Sequence, residues 1–283
     1  MLPYVDLHVH SQHSDGTMTV CELLDQAVEN EVGLLAVADH NVLTGSRELL
    51  ALAPERGVRV LPAVELDTYC PENGHLHVLA YGINPDDQAF DDFVRRARKA
   101  LDFMSDVLIA AMVNDGRPVS LDAYTSFEHQ PAQGGWKALQ YFLSIGLTQS
   151  LKEGVGLYNE YSVDYEEAGF ATLKDTCDAI HAAGGYAVLA HPGEMLDTSD
   201  PKTFRHTLCR IVHNGLDGIE CYYPSHTPEV TEQCLAVCGG LWLMITSGSD
   251  CHGSFGKTRV GEMRMPAEKL ALGALGDMIQ QSE

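Results

Sequence analysis

His8 and His10 stand two residues apart in the run Tyr4–His10. On an extended chain both rings leave the same side, where they can hold one ion together. Groups of the same kind recur along the sequence: Asp39 with His40, Glu65, His75 and His77, His191, Glu220, and Asp250 with His252 just beyond. Imidazole mixed with carboxylate, without cysteine at matching positions, suits zinc, manganese or iron and disfavours magnesium or calcium alone. The chemistry such groups could do together is to hold one or more divalent metal ions at a common site.

The elements that must position these groups are short apolar runs alternating with helical patterns. The expected strands are Tyr4–His10, Leu34–His40, Val58–Leu66, Leu76–Gly82, Tyr186–His191, Gly218–Tyr223 and Leu243–Asp250. Each carries a metal-capable side chain expected near or just past its C-terminal end. In a (β/α) barrel those ends converge on one face, which is where active sites lie. The helices between them announce their own limits. Thr19 with Glu22 reads as a capping box, Thr172 with Asp175 opens a helix that closes on Gly184-Gly185, and Thr227-Pro228-Glu229 opens one running to Gly239. Repeated β–α order implies a parallel sheet, closed or open.

Between Gly82 and Tyr186 the rhythm breaks, because a connection there would need only a few residues beyond its helix. Asp87–Asn114 reads as one long amphipathic helix and Leu139–Lys152 as a second. Residues 84–170 are therefore expected to be a mainly helical insertion at the mouth of the site, dividing a first part (1–83) from a second (171–283).

Several histidines have plainer readings. His129, His181, His206 and His213 fall on helical patterns or in the helical stretch and stay unassigned. His13 and His75 are open either way, the latter because it shares a strand face with His77. Glu220 is either a ligand or a buried carboxylate that orients a ligand histidine, and Asp6 could do the same for His8.

Composition sets the outer limits. The chain has 283 residues, with 18 Lys+Arg against 40 Asp+Glu and a formal net charge of −22. That charge argues against a broad basic face for long nucleic acid or an anionic membrane. Apolar residues at 45% and charged residues at 20% suit a packed core rather than a disordered tail. The eight cysteines form no CxxC pair and read as reduced core thiols. The N-terminus lacks the features of a signal peptide, and the apolar runs are too short to span a bilayer, so a cytoplasmic protein is expected. The oligomeric state is left open.

Asp6-Leu7-His8-Val9-His10-Ser11, Ser14-Asp15-Gly16, Ala38-Asp39-His40-Asn41, Glu65, His77-Val78-Leu79, Leu189-Ala190-His191-Pro192 and Gly248-Ser249-Asp250-Cys251-His252-Gly253 together resemble the PHP (polymerase and histidinol phosphatase) superfamily. Their order and spacing fit its stand-alone metal-dependent phosphoesterase branch, sometimes labelled amidohydrolase-like. The resemblance implies a distorted (β/α)7, TIM-like barrel holding two or three divalent ions. By that resemblance His8, His10, Glu65 and Asp250 hold one ion, and Glu65 bridges to a second held with His77 and His191. Asp15, His40 and His252 hold the third, with Asp39 near it. The family pattern favours His77 over His75 and Asp15 over His13. It also implies hydrolysis of a small phosphate monoester, a nucleotide or nucleoside bisphosphate, by a metal-bridging hydroxide. Histidinol phosphate and a non-phosphate bond are the alternatives. The branch often carries a Gly-Arg-Pro-His-like segment in the insertion; this chain has Gly134-Gly135-Trp136-Lys137-Ala138 in its place.

His226 is the candidate for protonating the leaving oxygen. Candidate cations for the substrate phosphate are Lys257 and Arg259, with Lys137 and Arg117. The Arg95-Arg96-Ala97-Arg98-Lys99 run reads first as a solvated helix face.

Overall fold

A computed structural model describes residues 3–161 and 165–276. Mixed α/β in class, it holds two sheets. One is four-stranded, in the order β3-β2-β1-β9, and the other five-stranded, in the order β4-β5-β6-β7-β8. The first contains β1 (Tyr4–Val9), β2 (Val32–Val37), β3 (Arg59–Val60) and β9 (Met265–Pro266). The second contains β4 (Ala63–Cys70), β5 (Gly74–Tyr81), β6 (Tyr186–Leu189), β7 (Gly218–Tyr222) and β8 (Met244–Ser247). Isolated bridges join the sheets where Val9 meets Cys251 and where His40 meets Glu65. The Tyr81 hydroxyl, fully buried, donates to the Leu7 carbonyl at 2.9 Å and ties β5 to β1.

Two departures from the expected strands affect the site. The single strand expected over Val58–Leu66 is two, because Pro62 has no N–H to continue a ladder and the chain changes sheets there. The second departure concerns direction. β4 and β5 form an antiparallel hairpin, pairing Glu65 with Leu79 and Asp67 with His77. His75 and His77 therefore lie at the start of β5 and not at its end. The hairpin turns the strand around, so its beginning lies beside the far half of β4. The other strands also stop two to three residues short, at Val37, Leu189 and Ser247. Past them the chain turns through left-handed backbone at Asn41 (φ 51°), His191 (φ 24°) and Asp250 (φ 51°). Non-glycine residues held in that region mark positions fixed by their surroundings.

Helices α1 (Val20–Glu29) and α2 (Thr44–Leu52) cover the first sheet, and α7 (Leu173–Ala182), α9 (Pro201–Ile211) and α10 (Pro228–Leu241) cover the second. The Thr19 capping box forms, with Glu22 N–H donating to the Thr19 hydroxyl and the Glu22 carboxylate accepting from Thr19 N–H at 2.8 Å. Thr172 and Thr227 cap as their sequences suggest, but α10 runs on to Leu241 and closes on Trp242 at φ 59°. Between the sheets Leu7, Ala36, Leu79 and Val188 pack as an inner core, each fully buried. A buried side chain of leucine size contributes roughly 1.5–3 kcal/mol.

The stretch from β5 to α7 holds α3 (Gln88–Asn114), α4 (Leu121–Ser126), α5 (Lys137–Ser144) and α6 (Leu151–Glu160). The long helix falls where the sequence placed it, capped by Asp87. The helix expected over Leu139–Lys152 is broken by Gly146 at φ 72°, and Ser150 caps a new one. These helices share a small core of their own around Ile109, Tyr141 and Phe142.

Candidate metal centre

Nine residues expected as ligands come together at the strand ends. His8 on β1 and His10 just past its end bring their Nε2 atoms to 3.0 Å of each other. Glu65 sits between all the groups. Its Oε2 lies 3.2 Å from ring nitrogens of His8, His10 and His40. Its Oε1 lies 3.0 Å from His77 Nδ1 and 3.0 Å from His191 Nε2. Asp250 Oδ1 reaches His10 Nε2 at 3.0 Å, and Asp15 Oδ2 reaches His252 Nε2 at 3.2 Å.

Candidate ligand atoms gather in four overlapping groups: His8, His10, Glu65 and Asp250; His10, Asp15, His40 and His252; His40, Glu65 and His77; and Asp67, His75 and His77. His10, His40 and His77 thus each belong to two groups, where the resemblance assigned one ion apiece.

The donor chemistry fits divalent cations. Nitrogen faces nitrogen where His77 Nδ1 meets His191 Nε2 at 3.2 Å, and Glu65 Oε2 is buried without an acceptable hydrogen bond despite three imidazoles nearby. Buried polar atoms left unpaired cost about 1–3 kcal/mol each, which a shared cation offsets. Charge points the same way. Burial raises the Glu65 carboxyl, but the surrounding charge of His8, His40 and His77 outweighs it and holds the group well below the carboxylate range. Burial lowers His10, and the carboxylates of Asp250 and Glu65 reverse this, raising it to about 10. The carboxylates demand positive charge, which either protonated imidazoles or metal ions supply.

Neighbouring groups fix the ligand rings. Glu220 accepts from His8 Nδ1 at 3.2 Å and from His191 N–H at 3.0 Å, so it takes the orienting place rather than that of a ligand. A Cβ at Gly248 would stand 2.1 Å from His8 Cβ and 2.5 Å from Glu220 Oε1, so only glycine lets this strand end approach. Asp6 accepts from Gly261 N–H at 2.7 Å and Ser249 N–H at 2.9 Å, tying the loop after β8 to β1. Burial lifts its carboxyl to about 6 against those hydrogen bonds.

Other candidates lie elsewhere. Asp39, placed near the third ion, spends both oxygens on Ser11 N–H, Ser11 Oγ and Ser14 Oγ at 2.6–2.7 Å, and so shapes the turn that carries Asp15. His13 bonds Glu48 at 2.8 Å, outside the cluster. His226 has both ring nitrogens engaged by backbone atoms. Its Nδ1 donates to the Cys221 carbonyl and its Nε2 accepts from Gly193 N–H, both at 3.1 Å, while burial lowers its pKa. Among the proposed phosphate cations, Lys137 donates to the Thr125 carbonyl at 3.0 Å and lies over the Tyr124 ring, and Arg117 pairs with Glu160. Lys257 and Arg259 are exposed, and Arg259 borders a separate concavity beside α1.

What lies over the cluster is a cavity of about 580 Å³, with His40, Asp67 and His77 on its floor and Arg98, Trp136 and Tyr158 among its wall residues. Sequence reasoning passed over Asp67. It accepts from His75 Nε2 at 2.8 Å and sits 3.3 Å from His77 Nε2. The signal was available, since Asp67 follows Glu65 by two residues on one strand and so shares its face. Tyr223, also passed over, donates its hydroxyl to Asp250 Oδ2 at 2.7 Å.

A mixed α/β fold with a buried histidine–carboxylate centre at its strand ends defines the class. The pattern of the PHP domain matches residues 6–279, and the chain belongs to that family. It is 32% identical over 273 residues to a phosphoribosyl 1,2-cyclic phosphate 1,2-diphosphodiesterase of Eggerthella lenta, covering 93% of this chain and 99% of that one. It is 25% identical over 263 residues to the 5′-3′ exoribonuclease Rnm of Escherichia coli, covering 87% and 84%. A 3′,5′-nucleoside bisphosphate phosphatase of Chromobacterium violaceum is 25% identical over 253 residues, covering 88% and 87%. Among solved structures, an amidohydrolase from Chromobacterium violaceum with bound sulfate and no metal shares the fold, with a TM-score of 0.75, 23% identity, and 98% and 96% of the two chains covered.

Proposed function

We propose that the chain is a metal-dependent hydrolase of small phosphate esters, and that the ester is carried on a ribose. One observation carries the reading: the two oxygens of buried Glu65 face two separate sets of imidazoles, as a carboxylate between neighbouring cations must. The names of the three relatives add a phosphate ester of a ribose unit as their common ground. The net charge of −22 supports a short substrate over a long polyanion.

His8, His10, Glu65 and Asp250 would hold one ion, Glu65, His77 and His191 a second, and Asp15, His40 and His252 a third, all of the manganese, zinc or iron kind. Such ions supply an acidified water and charge neutralisation for the phosphoryl group. The chain's own residues do the rest. Glu220 keeps the lone pair of His8 Nε2 aimed inward by accepting from its Nδ1–H. Asp67 does the same from the Nε2 side of His77. Tyr223 keeps its proton, because burial and the Asp250 charge push its pKa far up, and through it steadies Asp250. Trp136, Tyr158, Leu101 and Met104 give the cavity a mainly apolar wall. In this reading residues 84–170 are an insertion that closes over the mouth. The two sheets are the halves of a distorted barrel, a reading supported by the bridges at Val9 and His40.

The test is a turnover screen of manganese- or zinc-loaded protein, read by 31P NMR. Its panel holds a phosphoribosyl 1,2-cyclic phosphate, mononucleotides, 3′,5′-bisphosphates, short oligoribonucleotides and histidinol phosphate. A ribose phosphate ester should be cleaved at least tenfold faster than histidinol phosphate. A fully metal-loaded protein that leaves every ester intact, or one that prefers histidinol phosphate, sinks the proposal.

A further inference from the structure

One of the four ligand groups answers to none of the ions that the family resemblance implies: Asp67, His75 and His77. All three residues line the cavity above the centre. The hairpin register brings them together. Asp67 pairs directly with His77 across β4 and β5, and His75 precedes His77 by two residues on the same face. Two of the three are held from behind. Asn41 Nδ2 donates to Asp67 Oδ2, and Asp67 N–H donates to Asn41 Oδ1 at 3.1 Å. His75 stacks on Tyr165, with ring centroids 3.8 Å apart and planes 15° from parallel. Asp67 Oδ1 is left to the histidines, 2.8 Å from His75 Nε2 and 3.3 Å from His77 Nε2.

Two imidazole nitrogens and one carboxylate oxygen are the donor set of zinc sites that keep a further position open, and here that position faces the cavity. Zinc bonds of about 2.0–2.1 Å space tetrahedral ligands roughly 3.3 Å apart. His77 and Asp67 stand at that separation, and His75 has only to draw back by about half an ångström. His77 also belongs to the set proposed for the second ion. Its Nδ1 faces Glu65 Oε1 at 3.0 Å and His191 Nε2 at 3.2 Å, while its Nε2 faces Asp67. A neutral imidazole has one lone pair and one N–H. With the lone pair at Nδ1, the N–H is donated to Asp67; with the lone pair at Nε2, the N–H is donated to Glu65. The ring can therefore serve either side, one at a time.

We infer that Asp67, His75 and His77 form an additional position for a divalent ion of the zinc kind. It is an alternative to the position at Glu65, His77 and His191, and it opens to the cavity. The inference rests on the metal-dependent reading of the centre and adds to it a second resting place for one of its ions.

The test is anomalous diffraction at the zinc edge from crystals of the full-length protein supplied with about three equivalents of zinc, the number of ions proposed for the centre. Wild type, His191→Ala and His191→Ala/His75→Phe are compared. The first change withdraws a ligand from the Glu65 side. The second keeps a flat ring on Tyr165 but offers no nitrogen. In His191→Ala a zinc peak should stand about 2.0–2.2 Å from Asp67 Oδ1, His75 Nε2 and His77 Nε2, and the added His75→Phe should remove it. No peak there while zinc occupies His8, His10, Glu65 and Asp250 overturns the inference and leaves the metal-dependent reading intact. A peak that survives His75→Phe does the same. Zinc at Asp67 with none at the other strand-end positions of the wild type sinks that reading and keeps the inference, and no zinc anywhere sinks both. Should the His191 variants fail to fold, wild type and His75→Phe carry the comparison. In the wild type the two positions should share about one zinc, because His77 serves one at a time, and in His75→Phe all of it should lie at Glu65 and His191. A wild type with its zinc wholly at Glu65 and His191 overturns the inference.

Discussion

The floor and the wall of the cavity are built by different means. The floor gathers residues of β1, β4 and β5, where Glu220 holds His8, Asp67 holds His77, and Glu65 lies between the rings with its Oε2 unpaired. The wall comes from helices α3, α5 and α6, whose side chains meet through packing around Tyr158, itself bonded to Ser105 and to Trp136 Nε1 at 2.7 Å. Hydrogen-bonded neighbours fix the direction in which a ring points, while an apolar wall defines shape and exclusion. The difference assigns chemistry to the floor and substrate choice to the wall.

Substitutions can break or sharpen that division. The largest effect is expected from Glu65→Gln, which should reduce phosphate-ester turnover below detection and lower metal content as read by elemental analysis. Normal turnover would remove the floor from the chemistry altogether. Glu220→Gln leaves every ligand in place and should cost about 10–100-fold in metal affinity or rate, measured by metal titration, as is usual for groups that orient a ligand histidine. The smallest effects separate Trp136, which walls the cavity, from its neighbour Lys137, which does not. Trp136→Ala should raise KM several-fold with kcat nearly unchanged. Lys137→Gln should leave both alone and cost only about 0.5–1 kcal/mol in a denaturation curve, the worth of an exposed cation–π contact. A change in kcat with either would blur the line between wall and floor.

The floor was largely legible in the sequence and the wall was not, for physical reasons. His8 with His10 announces itself because a two-residue spacing has one meaning on an extended chain. Asp39 carries the same kind of signal as Asp250, yet its oxygens are taken by Ser11 and Ser14, which only a folded turn brings near. The partners of His226, Cys221 O and Gly193 N, are likewise invisible in sequence, being backbone atoms that only the fold brings near. Arg98 looks like Arg95 and Arg96 in a run of charges. What sets it apart is that it lines the cavity over the cluster and they do not, a property of packing. Pro62 could have divided the expected third strand, and with it the reversal of β5 would have been visible.

That reversal has a consequence for altering the protein. Glu65, Asp67, His75 and His77 lie on one face of a single two-stranded ribbon whose tip is Pro71–Asn73. A one-residue slip in pairing would turn the affected groups to the opposite face together. Sequence length can change freely only at the tip, beyond the pair Cys70 and Gly74, where added residues extend a loop and leave the register intact. The ribbon thus behaves as a cassette: an engineer could graft a tag or sensor at its tip, while a single deletion inside either arm would disarm the centre in one step.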